Sequence, residues 1–205
     1  MKILNTNHSP FLVIEEFISP LLCEEIVDNS NWIEPNYNIN DKPIKTEKSD
    51  SINEQILYNR LLGIIPTIES HFNVKYKGTQ SITFEWVPQG ANSLARYENC
   101  SILNNKLVRT KNIDFTAVLF LCDYTTENIS EFECYGGKLE FPQFKFGFNP
   151  QKGTLIIFPS DVNFLNSTSQ VLYGDLFQSR IQLTMTETFY FSINQFPGNY
   201  TNWFY

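Results

Sequence analysis

Side chains that commonly carry out enzyme chemistry are scarce in this chain. It contains two histidines, His8 and His71, and four cysteines, none of them in a Cys-x-x-Cys arrangement. With so few imidazoles a zinc cluster is not expected, and neither histidine has a partner that would indicate a nucleophilic triad. No Gly-rich phosphate loop, His-Glu-x-x-His stretch or Gly-x-Ser-x-Gly elbow occurs. The residue types therefore point away from zinc, triad and phosphate-loop chemistry.

Length, composition and net charge indicate the kind of domain and exclude some classes of partner. The chain has 205 residues, 42% of them apolar, with 18 Phe and 10 Tyr, which predicts one strand-rich domain over 1–205. A net charge of −7 argues against a nucleic-acid partner. We find no secretory signal and no apolar run of the roughly 18–20 residues that would cross a membrane. Reduced thiols in a cytosolic setting are the expectation.

The beginning of the chain, residues 1–78, is predicted to be mainly helical. A short apolar strand at 11–17 leads to Ser19 and Pro20. Serine is a good N-cap and proline suits the first helical position, so we predict a helix to about Asn29.

A second helix is predicted after a polar stretch. Residues 34–50 are rich in Asn, Lys and Pro and are predicted to form a surface loop. Apolar residues recur at helical spacing between Ile52 and Ile68, which predicts a helix to about Phe72. Pro66 should kink or interrupt that helix.

The hydrophobic period changes to two at about residue 79. Residues 81–87 alternate between polar and apolar, and similar stretches follow, separated by turn signals. Helices followed by strands predict an α+β domain in which helices pack outside a sandwich or barrel at 79–193, before an aromatic tail at 194–205. The further predicted strands are 115–124, 138–141, 154–158, 170–173 and 176–191.

Three stretches of the strand-rich half resemble motifs of a known family. Residues 135–142 read Tyr-Gly-Gly-Lys-Leu-Glu-Phe-Pro, residues 150–160 follow a Pro-x-x-Gly-x-x-x-x-Phe pattern, and Val171, Gly174 and Arg180 follow a Val-x-x-Gly…Arg pattern. They resemble the prolyl 4-hydroxylase-like branch of the 2-oxoglutarate/Fe(II) oxygenases, particularly those of tailed bacteriophages. The resemblance implies a double-stranded β-helix, a jelly-roll or cupin-like fold.

The resemblance also implies the positions of an iron site. In that family a His-x-Asp/Glu pair and a distal histidine hold Fe(II), and a basic residue binds the distal carboxylate of 2-oxoglutarate. The matching positions here are Arg96 and Glu98 for the pair, Asn163 for the distal histidine and Arg180 for the basic residue. Two histidines are thus replaced, and we interpret these positions as vestigial.

The replacements are chemically severe. Arginine stays protonated and cannot donate a lone pair to a metal, and an amide oxygen binds Fe(II) weakly compared with imidazole. We therefore predict no catalytic residue, no bound metal and no cofactor. If the chain is active, the predicted cofactors are Fe(II) and 2-oxoglutarate. Because alternate strand residues face the same way, Arg96 is expected to pair with Glu98, and Arg180 with Glu98 or Glu140. Alternatively, Arg96 points to solvent and the match is one strand out.

Three functions remain open from the sequence. The first is a degenerate oxygenase that serves as a structural or binding module, possibly in the neck, tail or capsid of a phage, with protein partners in an assembly or homo-oligomer. Trp203, Phe204 and Tyr205 are candidate interface residues, or else pack on their own domain. The second is an active oxygenase with an atypical metal site, and the third a small-molecule or sugar-binding protein.

Overall fold

Strands make up most of this protein, and three helices accompany them. The computed structural model describes residues 1–4, 9–33, 44–47, 52–127 and 130–185. The helices are α1 (Pro20–Asn29), α2 (Ile52–Leu62) and α3 (Ile65–Phe72). The strands as far as α3 are β1 (Lys2–Leu4), β2 (Leu12–Glu15), β3 (Trp32–Ile33) and β4 (Lys45–Glu47).

Twelve further strands follow α3 in the described residues. They are β5 (Tyr76–Val87), β6 (Cys100–Leu103), β7 (Lys106–Arg109), β8 (Phe115–Phe120), β9 (Asp123–Tyr124), β10 (Glu133–Gly136), β11 (Leu139–Phe141), β12 (Phe146–Phe148), β13 (Leu155–Pro159), β14 (Ser167–Thr168), β15 (Val171–Gly174) and β16 (Leu176–Met185).

Helix α1 begins where its local sequence predicts. The Ser19 hydroxyl accepts a hydrogen bond from the backbone N–H of Leu22 at 3.2 Å, which satisfies one of the unpaired donors of the first turn. The helix buries Cys23, Ile26 and Val27. The predicted helix from Ser19 to Asn29 is confirmed.

The predicted second helix is two helices. Pro66 lies in the first turn of α3, and Gly63 and Ile64 separate that helix from α2. Proline has no N–H, and its ring would clash with the carbonyl of the residue four positions earlier, so one continuous helix is broken here. Asn73, in the left-handed conformation, ends α3.

The largest sheet has eight strands in the order β1-β2-β13-β8-β16-β5-β4-β3, and all of its neighbours are antiparallel. Its centre is the long pair of β5 and β16, whose register places Gln178 opposite Glu85 and Arg180 opposite Thr83. This register brings polar residues of both strands to one face, where the candidate site lies.

Two three-stranded sheets, β15-β10-β9 and β12-β11-β14, complete the fold together with the separate β6–β7 hairpin. The core lies between the large sheet and the second of these: Phe158 of β13 and Phe141 of β11 have ring centroids 4.8 Å apart, and Phe11 is 4.7 Å from Phe141. Aromatic burial on this scale is a large stabilising term. The predicted α+β class is confirmed.

Some predictions for individual segments were wrong or stay open. Strand β4 lies within the stretch 34–50, predicted to be a loop, and pairs with β5. The β6–β7 hairpin was not predicted. The end of the strand predicted at 176–191 and the tail 194–205 lie outside the described residues, so the division at 78 and 193 stays a prediction.

Candidate functional site

Four charged side chains form a closed ring of alternating sign, which we call the ion ring. Glu98 Oε1 accepts from Arg180 Nη1 at 2.8 Å and from Arg96 Nε at 3.3 Å. On the other side, Glu85 Oε2 accepts from Arg180 Nε at 3.3 Å, and Glu85 Oε1 lies 3.5 Å from Arg96 Nη2. Each carboxylate therefore contacts both guanidinium groups.

The ion ring is held by two neighbours, Gln178 and Asn166. Gln178, opposite Glu85 in the β5–β16 pair, donates to Glu85 Oε2 at 2.6 Å. Asn166 Oδ1 accepts from Arg180 Nη1 at 3.2 Å. The backbones of Asn166 and Arg96 exchange two hydrogen bonds, at 2.9 and 3.1 Å, which fixes the segment carrying Arg96 and Glu98 over the sheet.

Burial strengthens the attraction within the ion ring. The side chains of Arg180 and Glu98 are 3% and 4% exposed, and that of Arg96 is 41% exposed. Burial alone would raise the pKa of Glu85, but Arg180 and Arg96 outweigh it and the net shift of that pKa is downward. Burial would likewise lower the pKa of Arg96, but Glu85 and Glu98 raise it. Glu85 and Arg96 are therefore charged at neutral pH.

A cavity of about 240 Å³ lies at the ion ring. Its other lining residues include Ser81, Thr83, Lys111 and Gln182. Arg180 also lines it, and Arg180 Nη2 is buried without a hydrogen-bond partner among the described residues. A buried guanidinium nitrogen without a hydrogen-bond partner lowers stability.

Three of the four positions assigned from the resemblance meet at one place. Arg96 pairs with Glu98 as predicted, and Arg180 pairs with Glu98 and Glu85 rather than with Glu140. Asn163 lies in the turn after β13, where its backbone N–H donates to Asp161 Oδ1 at 2.8 Å. The asparagine in contact with the ring is Asn166, and the assignment of Asn163 to the distal position stays a prediction.

Sequence reasoning missed Glu85, Asn166 and Gln178. A usable signal for the two strand residues was the alternation of polar residues with period two, at 81, 83 and 85 on one strand and 178, 180 and 182 on the other. Asn166 had no such signal, because the turn that begins at Asp161 separates it from the strand. The proposed interface residues Trp203, Phe204 and Tyr205 lie outside the described residues.

The ion ring does not fit an Fe(II) ion. Glu98 is already bound by two guanidinium groups, whose positive charge opposes a cation. Among the described residues, no group of three or more His, Cys, Asp and Glu side chains is placed to hold a metal. Iron in proteins of this kind needs imidazole and carboxylate donors around open positions, and this site offers carboxylates that are paired.

Comparison with solved structures identifies the fold. A collagen prolyl hydroxylase of Paramecium Bursaria Chlorella virus-1, in complex with 2-oxoglutarate, has a TM-score of 0.61 and 14% identity over 88% of this chain and 97% of its own. A Pseudomonas putida prolyl 4-hydroxylase has a TM-score of 0.58 and 12% identity over 87% and 94%. A Trichoplax adhaerens prolyl hydroxylase, in complex with a hypoxia inducible factor peptide, has a TM-score of 0.61 and 15% identity over 88% and 85%. No protein-family model and no curated protein matches the chain.

These likenesses confirm one prediction and correct another. The chain has the prolyl hydroxylase-like oxygenase fold, a double-stranded β-helix with helices packed outside, as predicted. The prediction of no cofactor, made from the replaced histidines, was wrong, since the matching structures are prolyl hydroxylases and one of them contains 2-oxoglutarate. In the described part of the chain, no helix is long and apolar enough to span a membrane.

Proposed function

We propose that this chain is a catalytically degenerate protein of the prolyl hydroxylase fold that acts as a structural or binding module. One observation carries the proposal: Glu98, the carboxylate matched to the iron-binding position, is bound by Arg96 and Arg180. A carboxylate paired in this way is held in place by protein charges alone. The ion ring thus stabilises the former active-site geometry without providing a position for a reacting oxygen.

The assembly that we propose is a tailed-phage virion, with this chain contacting other proteins of the particle. The support is the likeness of residues 135–142 to phage oxygenase-like proteins and the acidic net charge of −7, which disfavours a nucleic-acid role. A rigid β-rich domain with a closed polar centre suits a structural task. Gold-labelled antibody against the chain should bind to purified phage virions in electron micrographs. Virions that carry no gold would contradict the virion role.

The catalytic half of the proposal is tested by turnover. Purified full-length protein is mixed anaerobically with Fe(II) and 2-oxoglutarate, oxygen is admitted, and succinate is measured. We expect succinate at the level of a heat-unfolded sample. Succinate above that level, lost in Glu98→Gln, would refute the degenerate function and establish an atypical oxygenase. Retention of 2-oxoglutarate without succinate would favour the binding function described next.

A second candidate function, binding of a small organic acid, is favoured by the cations Arg96 and Arg180 in the lining of the cavity. Lys111 adds a third cation to the lining. The test is a thermal-shift titration with succinate, 2-oxoglutarate and citrate, with Lys111→Met as the variant. Lys106→Met, an exposed lysine on the hairpin, is the matched control. Stabilisation lost in Lys111→Met and kept in Lys106→Met would support the site, and no stabilisation by any acid would exclude this class of ligand.

A further inference from the structure

Two buried cysteines lie side by side in the interior of the protein. The Sγ atoms of Cys122 and Cys134 are 3.8 Å apart. Both residues are free thiols, and both side chains are completely buried. The sulfurs of a disulfide are about 2.0 Å apart, so a bond here needs the two thiols to approach by roughly 2 Å. Moderate rotations of the thiols about their Cα–Cβ bonds can supply such an approach.

The backbone on either side of the two thiols is held in place. Cys122 directly precedes β9, Cys134 lies in β10, and these two strands pair in parallel. The Asp123 N–H donates to the carbonyl oxygen of Phe132 at 3.0 Å, and the Thr125 N–H donates to that of Cys134 at 2.9 Å. Because these hydrogen bonds fix both segments of the chain, the thiols stay neighbours in the folded protein.

The other contacts of these two thiols within the described residues are weak. Cys122 Sγ lies 3.8 Å from the carbonyl oxygen of Phe177, and Cys134 Sγ lies 3.9 Å from that of Gly136. A thiol is a weak donor, so the loss of these contacts costs little. Burial, and after it the Cys134 thiol, raises the pKa of Cys122 well above its ordinary value. Oxidation is therefore slow and requires local opening, because the thiolate is the reacting form.

The remaining two cysteines make different contacts. Cys23 lies on α1, where burial raises the pKa of its thiol to about 12. Cys100, on β6, donates to Asn99 Oδ1 at 2.9 Å. Among the described residues, the contact between Cys122 and Cys134 is the only one between two thiols. Oxidation of the folded protein is therefore expected to form an internal bond at this pair.

A bond between these cysteines would join two sheets. Cys122 lies just after β8 of the eight-stranded sheet, and Cys134 belongs to the three-stranded sheet β15-β10-β9. A covalent link at this point closes a loop of the chain and restricts the unfolded state. The disulfide form should therefore resist unfolding better than the dithiol form.

We propose that Cys122 and Cys134 are a redox pair whose disulfide links β10 covalently to the chain that follows β8. The oxidant is hydrogen peroxide. One thiolate attacks it and becomes a sulfenic acid with release of water, and the second thiol then displaces the hydroxyl group as a second water. The two thiols lose two electrons and two protons, which reduce the peroxide to these two waters, and a thiol reductant reverses the bond. The proposal is independent of the proposed function, because neither cysteine belongs to the ion ring.

Mass spectrometry of the full-length protein tests the pair. Both cysteines lie in one tryptic peptide, residues 112–138. The folded protein is treated with hydrogen peroxide, unfolded in the presence of iodoacetamide and digested. We expect this peptide to lack two hydrogens and to carry no alkyl group, and dithiothreitol given before alkylation should restore two alkylated cysteines. Full alkylation after peroxide, sulfinic acid without a disulfide, or a bond to Cys23 or Cys100 would overturn the proposal.

Urea denaturation tests whether the bond links the two sheets as proposed. Peroxide should raise the urea midpoint of the wild type, and dithiothreitol should reverse the rise. Cys134→Ala should show no such rise, whereas Cys100→Ala, which leaves the pair intact, should show the same rise as the wild type. Each variant is compared with its own reduced form, so a loss of stability from the substitution itself does not affect the result. An unchanged or lowered midpoint of the oxidised wild type, or a rise that persists in Cys134→Ala, would contradict the proposal.

Discussion

Arg180 and Glu98 are joined at 2.8 Å between Nη1 and Oε1, and both side chains are almost fully buried. They come from β16 and from the segment after β5, so this contact ties the centre of the large sheet to the chain that crosses it. A charge in such a place is stabilised only while its partner is present. The relationship makes Arg180 a structural residue, whatever the cavity binds.

Removing Arg180 should therefore destabilise the protein strongly. Arg180→Met leaves Glu98 and Glu85 with a single cation, Arg96, and we expect a loss of about 3–5 kcal/mol in the free energy of unfolding. Urea denaturation followed by tryptophan fluorescence measures it. Arg60→Met, an exposed arginine on α2, is the control and should change the free energy by less than about 0.5 kcal/mol.

A double substitution tests whether the loss comes from the unpaired charge. Arg180→Met with Glu98→Leu removes both members of the pair, and the double variant should be more stable than Arg180→Met alone. Equal or lower stability of the double variant would show that the packing of Arg180, not its charge, carries the effect.

The ion ring should also make folding sensitive to acid. The pKa of Glu85 is below its ordinary value of 4.5 in the folded protein, because Arg180 and Arg96 outweigh the effect of burial. A lowered folded pKa means that Glu85 contributes its full stability above about pH 4.5, and that this is lost as the pH falls through the folded pKa. In denaturation series from pH 6 to pH 3, Glu85→Gln should have a shallower acid slope than the wild type. Parallel curves would contradict this.

Features that depend on residues close together in the chain were predictable from the sequence, and features that depend on residues far apart were not. The start of α1 was predictable because Ser19 and Pro20 act within one helical turn. Pairing of Arg96 with Glu98 was predictable because they are two residues apart. Glu85 was not assigned to the site because its contact with Arg180 depends on the β5–β16 register, which joins residues 95 positions apart.

The hairpin and Asn166 were missed for different reasons. The hairpin's turn residues Asn104 and Asn105 both have positive φ, which is the expected chemistry of a two-residue turn. Its strands, however, are exposed on both faces, so they lack a clear alternation to detect. Asn166 follows an irregular turn, and the number of residues between a strand and such a position does not determine where its side chain lies.

Gly136 is required for the join between β10 and β15. It has a φ of +91°, and a Cβ at this position would meet the carbonyl oxygen of Gln170. Gly136→Ala should cost about 2–3 kcal/mol. The control is Gly78→Ala on β5, where a Cβ meets nothing within 4 Å, so the change should be within about 1 kcal/mol. Thermal denaturation of both variants measures the difference, and similar melting temperatures would contradict it.

Asp161, which follows β13, should weaken folding at neutral pH. Burial raises its pKa from 3.8 to about 6, against smaller opposing effects of Asn163 and Arg109. A raised folded pKa in an acid means that stability is highest below about pH 3.8 and falls as the pH rises through about 6. Asp161→Asn keeps an oxygen for the Asn163 N–H and removes the charge. We expect it to gain about 1–3 kcal/mol at pH 7.5 and little at pH 4. An equal gain at both pH values would contradict a titration effect.

Introducing histidines at 96 and 166 should create a metal site beside Glu98 if these three positions match the iron-binding positions that the resemblance implies. Asn166 contacts Arg96 through the backbone and reaches Arg180, which holds Glu98. Arg96→His with Asn166→His supplies two imidazoles and frees Glu98 from one guanidinium, which gives the two-histidine, one-carboxylate set that first-row metals prefer. Titration with Co(II), followed by its visible absorption, measures binding.

The control for the histidine pair is Arg96→His with Asn163→His, which differs only in the second position. We expect the variant at 166 to bind Co(II) at least about tenfold more tightly, because Asn163 lies in the turn with its backbone bound to Asp161. Tighter binding by the variant at 163 would instead support Asn163 as the distal position assigned from the sequence. Equal, weak binding by both variants would show that the ion ring does not match the iron-binding positions that the resemblance implies.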